Sequence, residues 1–184
     1  MEEAAISTTQ PGDGDVRVEV VRLSPWDRSI RAVTAIPAPV EPIWQVLTDY
    51  ERLADFVPSL VLSRQLPHPP GKIRLEQIGA QRFLKCSFRA RVVLDIEEHY
   101  PERIDFHAVE GDFVTFRGAW ELQPQPQATQ LIYSVHLRPR LGLPVRLVEN
   151  KIQRGVTVNL LAIRRQVEMA WPNQYLSTGK GPAG

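Results

Sequence analysis

The sequence predicts an α+β fold, in which an antiparallel β-meander carries two short helices near its start and one long helix at its end. The first observation is the alternation of apolar and polar residues between Leu60 and Leu137, with a period of two. The second is an apolar stripe with helical spacing from Val145 to the break at Pro172. The short connections between consecutive strands favour antiparallel pairing.

The strands are predicted from this alternation and from the turns that separate them. The turns are rich in Pro and Gly, as in the segment His68-Pro69-Pro70-Gly71. The predicted strands are Val16–Leu23, Ile30–Ile36, Leu60–Leu66, Ile73–Ile78, Leu84–Ile96, Ile104–Val109, Val114–Leu122 and Gln130–Leu137.

The two short helices are predicted between the second and third of these strands. The first is amphipathic and carries Ile43, Trp44 and Leu47, and the second ends at Pro58. The final helix is about 40 Å long at 1.5 Å per residue. Strands, two small helices, a meander and a long final helix form the element order of a helix-grip domain. The apolar stripe of the long helix consists of Val148, Ile152, Val156, Ile163, Val167 and Ala170.

The strand Leu84–Ile96 shows the alternation most clearly. Apolar residues take the even positions and polar or charged residues take most of the odd ones. One face of this strand is therefore predicted to be buried and the other to be exposed to solvent. Cys86 has an even number, so we expect it to be a buried thiol.

Length and composition indicate one globular domain with a substantial core. The chain has 184 residues, of which 43% are hydrophobic and 23% are charged, and its net charge is +1. This charge gives no general attraction to nucleic acid. The acidic start lacks a secretory signal and no run is long enough to span a bilayer, so we expect a soluble, cytoplasmic protein that is at most peripheral to a membrane. The expected organisation is a disordered tail over 1–14, one domain over 15–174 and a flexible tail over 175–184.

The sequence shows no pattern for metal or nucleophilic chemistry. The four histidines are scattered and Cys86 has no histidine nearby in sequence. No phosphate-binding loop precedes a helix. We therefore expect no metal, no cofactor and no catalytic residue. The histidines are His68, His99, His107 and His136, and His107 and His136 are predicted to point away from the apolar face.

Several motifs resemble the START/polyketide-cyclase superfamily, also called SRPBCC. They are similar above all to coenzyme-Q-binding proteins and to the "cyclase/dehydrase" proteins of cyanobacteria and chloroplasts. The resemblance covers about Val16 to Trp171, and it is more specific for the fold than for the function. The matching segments are Ala38–Tyr50, Phe56–Pro58, Val109–Phe113, Gly118–Trp120 and the Arg164-Arg165 pair in the last helix.

The resemblance implies a strongly curved sheet wrapped around the last helix, with a cavity between them. The residue pattern alone favours a solid core, and the resemblance is what leads us to expect a cavity. Asn159 lies on the inward face of the helix and is either a satisfied core amide or a group that orients a ligand. The candidate cavity residues are Trp44, Phe88, Phe106, Phe116, Trp120, Tyr133, Ile152, Val156, Asn159 and Ile163.

Two sets of charged residues are further candidates. Glu110 and Asp112 lie at the predicted mouth of the cavity, where they are either turn residues or carboxyls with raised pKa values. Basic residues on the outer face of the long helix suit an anionic membrane surface, a protein interface or plain solvent. These basic residues are Lys151, Arg154 and Arg165.

Three functions follow from these observations. We favour the non-catalytic binding or transport of a hydrophobic small molecule, such as a quinone, an isoprenoid or a lipid. The first alternative is a polyketide-type aromatase/cyclase, which needs an acid–base pair inside the cavity. The second is a protein-interaction module, because one bacterial branch of the superfamily acts on the ribosome.

Overall fold

A computed structural model describes the backbone of residues 6–8, 16–83, 86–140 and 145–172, and the side chains of 16–80, 89–140 and 153–172. The nine strands are β1 (Ile6–Thr8), β2 (Arg17–Arg22), β3 (Arg28–Ile36), β4 (Leu60–Leu66), β5 (Ile73–Phe83), β6 (Cys86–His99), β7 (Arg103–Gly111), β8 (Phe113–Gln125) and β9 (Ala128–Pro139). The three helices are α1 (Val40–Thr48), α2 (Leu53–Phe56) and α3 (Val145–Ala170).

All the strands form one antiparallel sheet in the order β1-β2-β3-β9-β8-β7-β6-β5-β4. Eight of them have six residues or more, and the three-residue β1 adds a short edge beside β2. Chain order is kept from β4 to β9, so each pair is joined by a short turn, as the predicted meander requires. The predicted helix-grip fold is confirmed.

Most strands are longer than the apolar pattern predicts. For example, β8 runs to Gln125 and pairs through Gln123 and Pro124, because backbone pairing continues beyond the last buried side chain. Within the tail that was predicted to be disordered, Ile6–Thr8 pair with β2. The prediction is therefore wrong for these three residues, and the rest of 1–14 lies outside the described residues.

The core lies on the inner face of the sheet, where α3 covers it. Ile36 and Leu131 are fully buried there, together with α1 residues such as Ile43. The inward face of α3 carries Leu160, Ile163 and Val167. This face is rotated from the predicted stripe. Ala170, a member of the predicted stripe, is exposed, whereas Leu161, which is not in the stripe, packs against the core.

At Gly118, the backbone of β8 lies directly against the Phe106 ring and the backbone of β9. A Cβ at this position would lie 1.9 Å from the Ser134 carbonyl oxygen and 2.8 Å from Cζ of Phe106. Only glycine leaves room for the Phe106 ring to cross β8 here. The missing side chain thus positions the aromatic residues described next.

Candidate functional site

Five aromatic rings form a continuous chain on the inner face of β7, β8 and β9, which we call the ring cluster. Trp120 and Tyr133 face each other across β8 and β9, with ring centroids 4.4 Å apart. Tyr133 stacks on Phe106 at 6.0 Å, and Phe106 contacts Phe116 at 5.8 Å. Phe113 extends the chain, 4.9 Å from Phe116.

The ring cluster lies where the resemblance implies a cavity, on the face of the sheet that α3 covers, and we call this predicted cavity the hollow. Phe113, Phe116, Trp120 and Tyr133 are only half-buried there. Burial nevertheless raises the pKa of the Tyr133 hydroxyl, because the low-dielectric surroundings disfavour the phenolate. These rings therefore keep accessible surface in largely apolar surroundings.

Helix α3 lies over this region. The main contacts of its described part are with β2, β3, α1 and α2, whereas the rings stand on β7 to β9. Val156, Leu160 and Leu161 share an apolar cluster with the rings, and Val156 and Leu161 are only half-buried. The hollow is therefore predicted between the rings and this side of α3.

Among the five rings of the cluster, Tyr133 is the one with an ionisable group, its hydroxyl. It makes no hydrogen bond with any residue that the structure describes. Its raised pKa keeps it protonated at physiological pH, so it can donate a hydrogen bond to an oxygen atom brought into the hollow. An apolar wall with one such donor suits a hydrophobic molecule that carries a carbonyl or carboxyl oxygen.

Asn159 is a satisfied amide and not a free polar group. Its Nδ2 donates to the Ser59 Oγ at 2.6 Å, and its Oδ1 accepts from the Ser59 backbone N–H at 3.4 Å. These bonds join α3 to the segment that follows α2. Of the two roles predicted for Asn159, the structure favours the core amide.

The sequence model of one protein family matches residues 36–161, and its description is polyketide cyclase/dehydrase and lipid transport. The chain belongs to this family. The predicted membership of the START/polyketide-cyclase superfamily is confirmed, whereas the closer resemblance to coenzyme-Q-binding proteins stays a prediction. No functionally curated protein sequence matches the chain.

Solved structures of START-type proteins share this fold. A STAR-related lipid transfer protein from Xanthomonas axonopodis is 17% identical with a TM-score of 0.72, covering 89% of this chain and 98% of its own. Human StAR-related lipid transfer protein 5 is 13% identical with a TM-score of 0.70, covering 90% and 87%. The Zhui aromatase/cyclase from Streptomyces sp. R1128 is 18% identical with a TM-score of 0.63, covering 77% and 94%.

The remaining cavity candidates of this START-family chain are distributed differently. Trp44 and Ile163 belong to the core cluster around α1, where the Trp44 ring stands edge-on to Tyr100 at 5.1 Å. The side chains of Phe88 and Ile152 lie outside the described residues, as does that of Cys86. The structure therefore brings together Phe106, Phe116, Trp120, Tyr133 and Val156 from the predicted set.

The carboxylates Glu110 and Asp112 are engaged by Arg91. Glu110 Oε1 accepts from the Arg91 guanidinium at 2.6 Å, and Asp112 Oδ2 accepts from the Arg91 backbone N–H at 2.7 Å. Gly111 between them has φ of +122° and makes the turn. This arrangement favours the turn-residue alternative over a pair of acid–base groups.

The basic face of α3 is exposed where it is described. Arg154, Arg165 and Val158 all point to solvent, and Val158 is 47% exposed. The Lys151 side chain lies outside the described residues. No helix of the described chain is long and apolar enough to cross a membrane.

His107 and His136 lie as predicted, away from the apolar face. His107 and His136 take the opposite parity to the buried Phe106 and Val135. Within the described ranges, no three His, Cys, Asp or Glu residues are arranged to hold a metal ion.

Phe113 is the member of the ring cluster that the sequence pattern missed. Its odd number assigns it to the outer face of β8. A register shift between Phe113 and Thr115 reverses the parity and turns its ring inward, beside Phe116. The only sequence signal near this irregularity is the preceding Gly111-Asp112 turn.

Proposed function

We propose that this protein binds a hydrophobic small molecule in the hollow and carries or presents it without changing it chemically. The single observation that carries the proposal is the ring cluster, four of whose members keep accessible surface on the face that α3 covers. The ligand class that fits is a quinone, an isoprenoid or a lipid whose oxygen accepts from Tyr133. The lipid-transfer relatives named above support this class, since their fold is the same.

Binding without catalysis fits the chemistry of the ring cluster. Its one ionisable group is the Tyr133 hydroxyl, and the direction of its pKa shift makes it a poor general base at neutral pH. Glu110 lies in an exposed turn and is paired with Arg91. An aromatase/cyclase needs a convergent acid–base pair beside its substrate, and these residues do not provide one.

Native purification followed by solvent extraction and mass spectrometry tests the proposal. We expect a near-stoichiometric hydrophobic compound from the wild-type protein. The variant Ala108→Phe should lose it, because Ala108 is a half-buried neighbour of the ring cluster on β7 and a ring there fills space. Ala35→Phe, which places the same ring on an exposed position of β3, is the control. Equal ligand content in folded Ala108→Phe and Ala35→Phe proteins would contradict the proposal.

We propose further that the basic face of α3 docks on an anionic bilayer during ligand exchange. Arg154, Val158 and Arg165 fall within a sector of roughly 40° at about 100° per residue. Each basic residue near such a surface contributes about 1 kcal/mol. Changing Lys151, Arg154 and Arg165 to Glu should reduce co-sedimentation with anionic liposomes while ligand content stays constant. Sedimentation that is insensitive to this change and to salt would leave the face as ordinary solvated surface.

A further inference from the structure

A polar groove of about 970 Å³ lies on the opposite side of the sheet from the ring cluster. Its floor is the outer face of β6 to β9, and the loop that joins β4 to β5 contributes His68, Gly71 and Lys72 to its wall. The groove shares strands with the hollow but presents the other set of side chains. It is therefore a second concave surface, separate from the proposed ligand site.

Three basic side chains stand side by side across the floor of this groove. His136 on β9 pairs with Arg117 on β8, and Arg117 pairs with His107 on β7. Directly opposed residues in antiparallel strands have Cβ atoms about 4.5–5.5 Å apart. We call these three residues the basic row. Its donors can therefore converge on one small group.

Two acidic neighbours of the basic row, Asp95 and Asp105, are already engaged by arginines. Asp95 lies opposite His107 on the neighbouring strand and accepts two hydrogen bonds from the Arg74 guanidinium. The bond from Nη2 is 2.8 Å long. The Arg74 bond holds the pKa of Asp95 below its usual range, and His68 and His107 lower it further, so both imidazoles lie close to this carboxylate. Asp105 is held by Arg103 at 2.8 Å.

Arg117 differs from these arginines. It makes no hydrogen bond or ion pair with any residue that the structure describes. At one end of the row, the His136 Nε2 lies 3.3 Å from the Asp27 carboxylate. The positive charge in the middle of the row is thus left without an internal counter-ion. A planar guanidinium fork in this position matches the oxygen geometry of phosphate.

We propose that the basic row is a binding site for a phosphate monoester. Two oxygens of the phosphate accept from the Arg117 guanidinium, and the His107 imidazole and the His136 ring nitrogen that does not face Asp27 donate to the others. Lys72 on the groove wall adds a further positive charge at its edge. The phosphate belongs either to a small phosphorylated metabolite or to a lipid headgroup, since both present the same group of oxygens. This site is independent of the proposed function of the hollow.

Histidine NMR on the full-length protein tests this site, with inorganic phosphate as the probe at constant ionic strength. We expect the His107 and His136 ring resonances to shift together and to saturate, while His99 stays unchanged. Arg117→Gln should weaken phosphate binding at least tenfold, and Arg117→Lys should weaken it less because it keeps the charge. Arg31→Gln removes the same charge from an exposed position on the same face of the sheet, outside the groove, and should bind normally.

Vesicle binding separates the two sources of phosphate. This test uses the protein in which Lys151, Arg154 and Arg165 are changed to Glu, so that the basic face of α3 does not contribute to vesicle binding. Phosphatidic acid vesicles that bind this protein and its Arg31→Gln form but not its Arg117→Gln form would assign the row to a lipid headgroup. Phosphate binding without vesicle binding would assign it to a small phosphorylated molecule. Equal phosphate affinity in folded Arg117→Gln and Arg31→Gln proteins, or shifts confined to histidines outside the row, would overturn the proposal. None of these results depends on what the hollow contains.

Discussion

Two buried threonines differ in their hydrogen bonding. Comparing them tests how a buried hydroxyl with a partner and one without a partner each affect stability. Thr34 on β3 and Thr129 on β9 are each 1% exposed, and both lie on the inner face of the sheet. The Thr34 Oγ1 is enclosed and has no hydrogen-bond partner in the described part of the chain. The Thr129 Oγ1 donates to the Ala38 carbonyl at 2.8 Å.

Replacing each threonine by valine should therefore change stability in opposite directions. A buried hydroxyl without a partner costs about 1–3 kcal/mol in protein mutants, so Thr34→Val should stabilise the protein by about that amount. Thr129→Val removes a hydrogen bond and takes the donor away from the Ala38 carbonyl, which should cost about 1–3 kcal/mol. At about 2–4 °C per kcal/mol for a chain of this size, the two melting temperatures should differ by roughly 4 °C or more.

Equilibrium urea unfolding of the two variants and the wild type measures both free energies directly. The slopes should match, because neither change alters the area that is exposed on unfolding. A Thr34→Val protein that is less stable than the wild type would contradict the prediction that the buried Thr34 hydroxyl destabilises the protein. It would mean that the Thr34 hydroxyl has a partner in solution and that the hollow extends as far as β3.

Three further predictions rest on single residues. Gly118→Ala should destabilise the protein by about 3 kcal/mol or more in urea unfolding, since its Cβ would lie 1.9 Å from the Ser134 carbonyl oxygen; a wild-type midpoint would contradict the close approach. Burial raises the pKa of Tyr133, so its contribution to stability is complete below the unfolded-state pKa of about 10 and is lost as pH rises above it. The stability of Tyr133→Phe should therefore fall less than that of the wild type as the pH rises above about 10, as thermal unfolding at several pH values would show. An equal fall in both proteins would contradict this prediction. Asn159→Ala should cost about 1–3 kcal/mol by leaving the Ser59 backbone N–H without its acceptor and the Ser59 Oγ without its donor, as chemical denaturation would show.

The fold could be predicted because its signals are local and repeated. Long alternation along β6 and β8 determines which side chains face inward, and the apolar stripe of α3 places one helix at the end. Four predicted aromatic candidates meet in the ring cluster because their parity is preserved by regular pairing; they are Phe106, Phe116, Trp120 and Tyr133.

The remaining features depend on relations that a linear pattern does not contain. Phe113 faces inward only because a register shift reverses its parity. The partner of Asn159 is Ser59, which lies 100 residues away in sequence. The rotation of α3, which buries Leu160 and exposes Ala170, is set by packing against α1 and β3. The basic row appears only once three separate strands are placed in register.

Quenching of Trp120 by a spin-labelled fatty acid tests whether a hydrophobic ligand binds beside the ring cluster. A protein in which Trp26, Trp44 and Trp171 are changed to Phe reports Trp120 emission alone. We predict saturable, near-stoichiometric quenching by a doxyl-labelled stearate, reversed by an unlabelled ligand, because the hollow brings the label against the ring cluster. A folded protein that binds the labelled acid while Trp120 emission stays unchanged would place the ligand elsewhere and contradict the account.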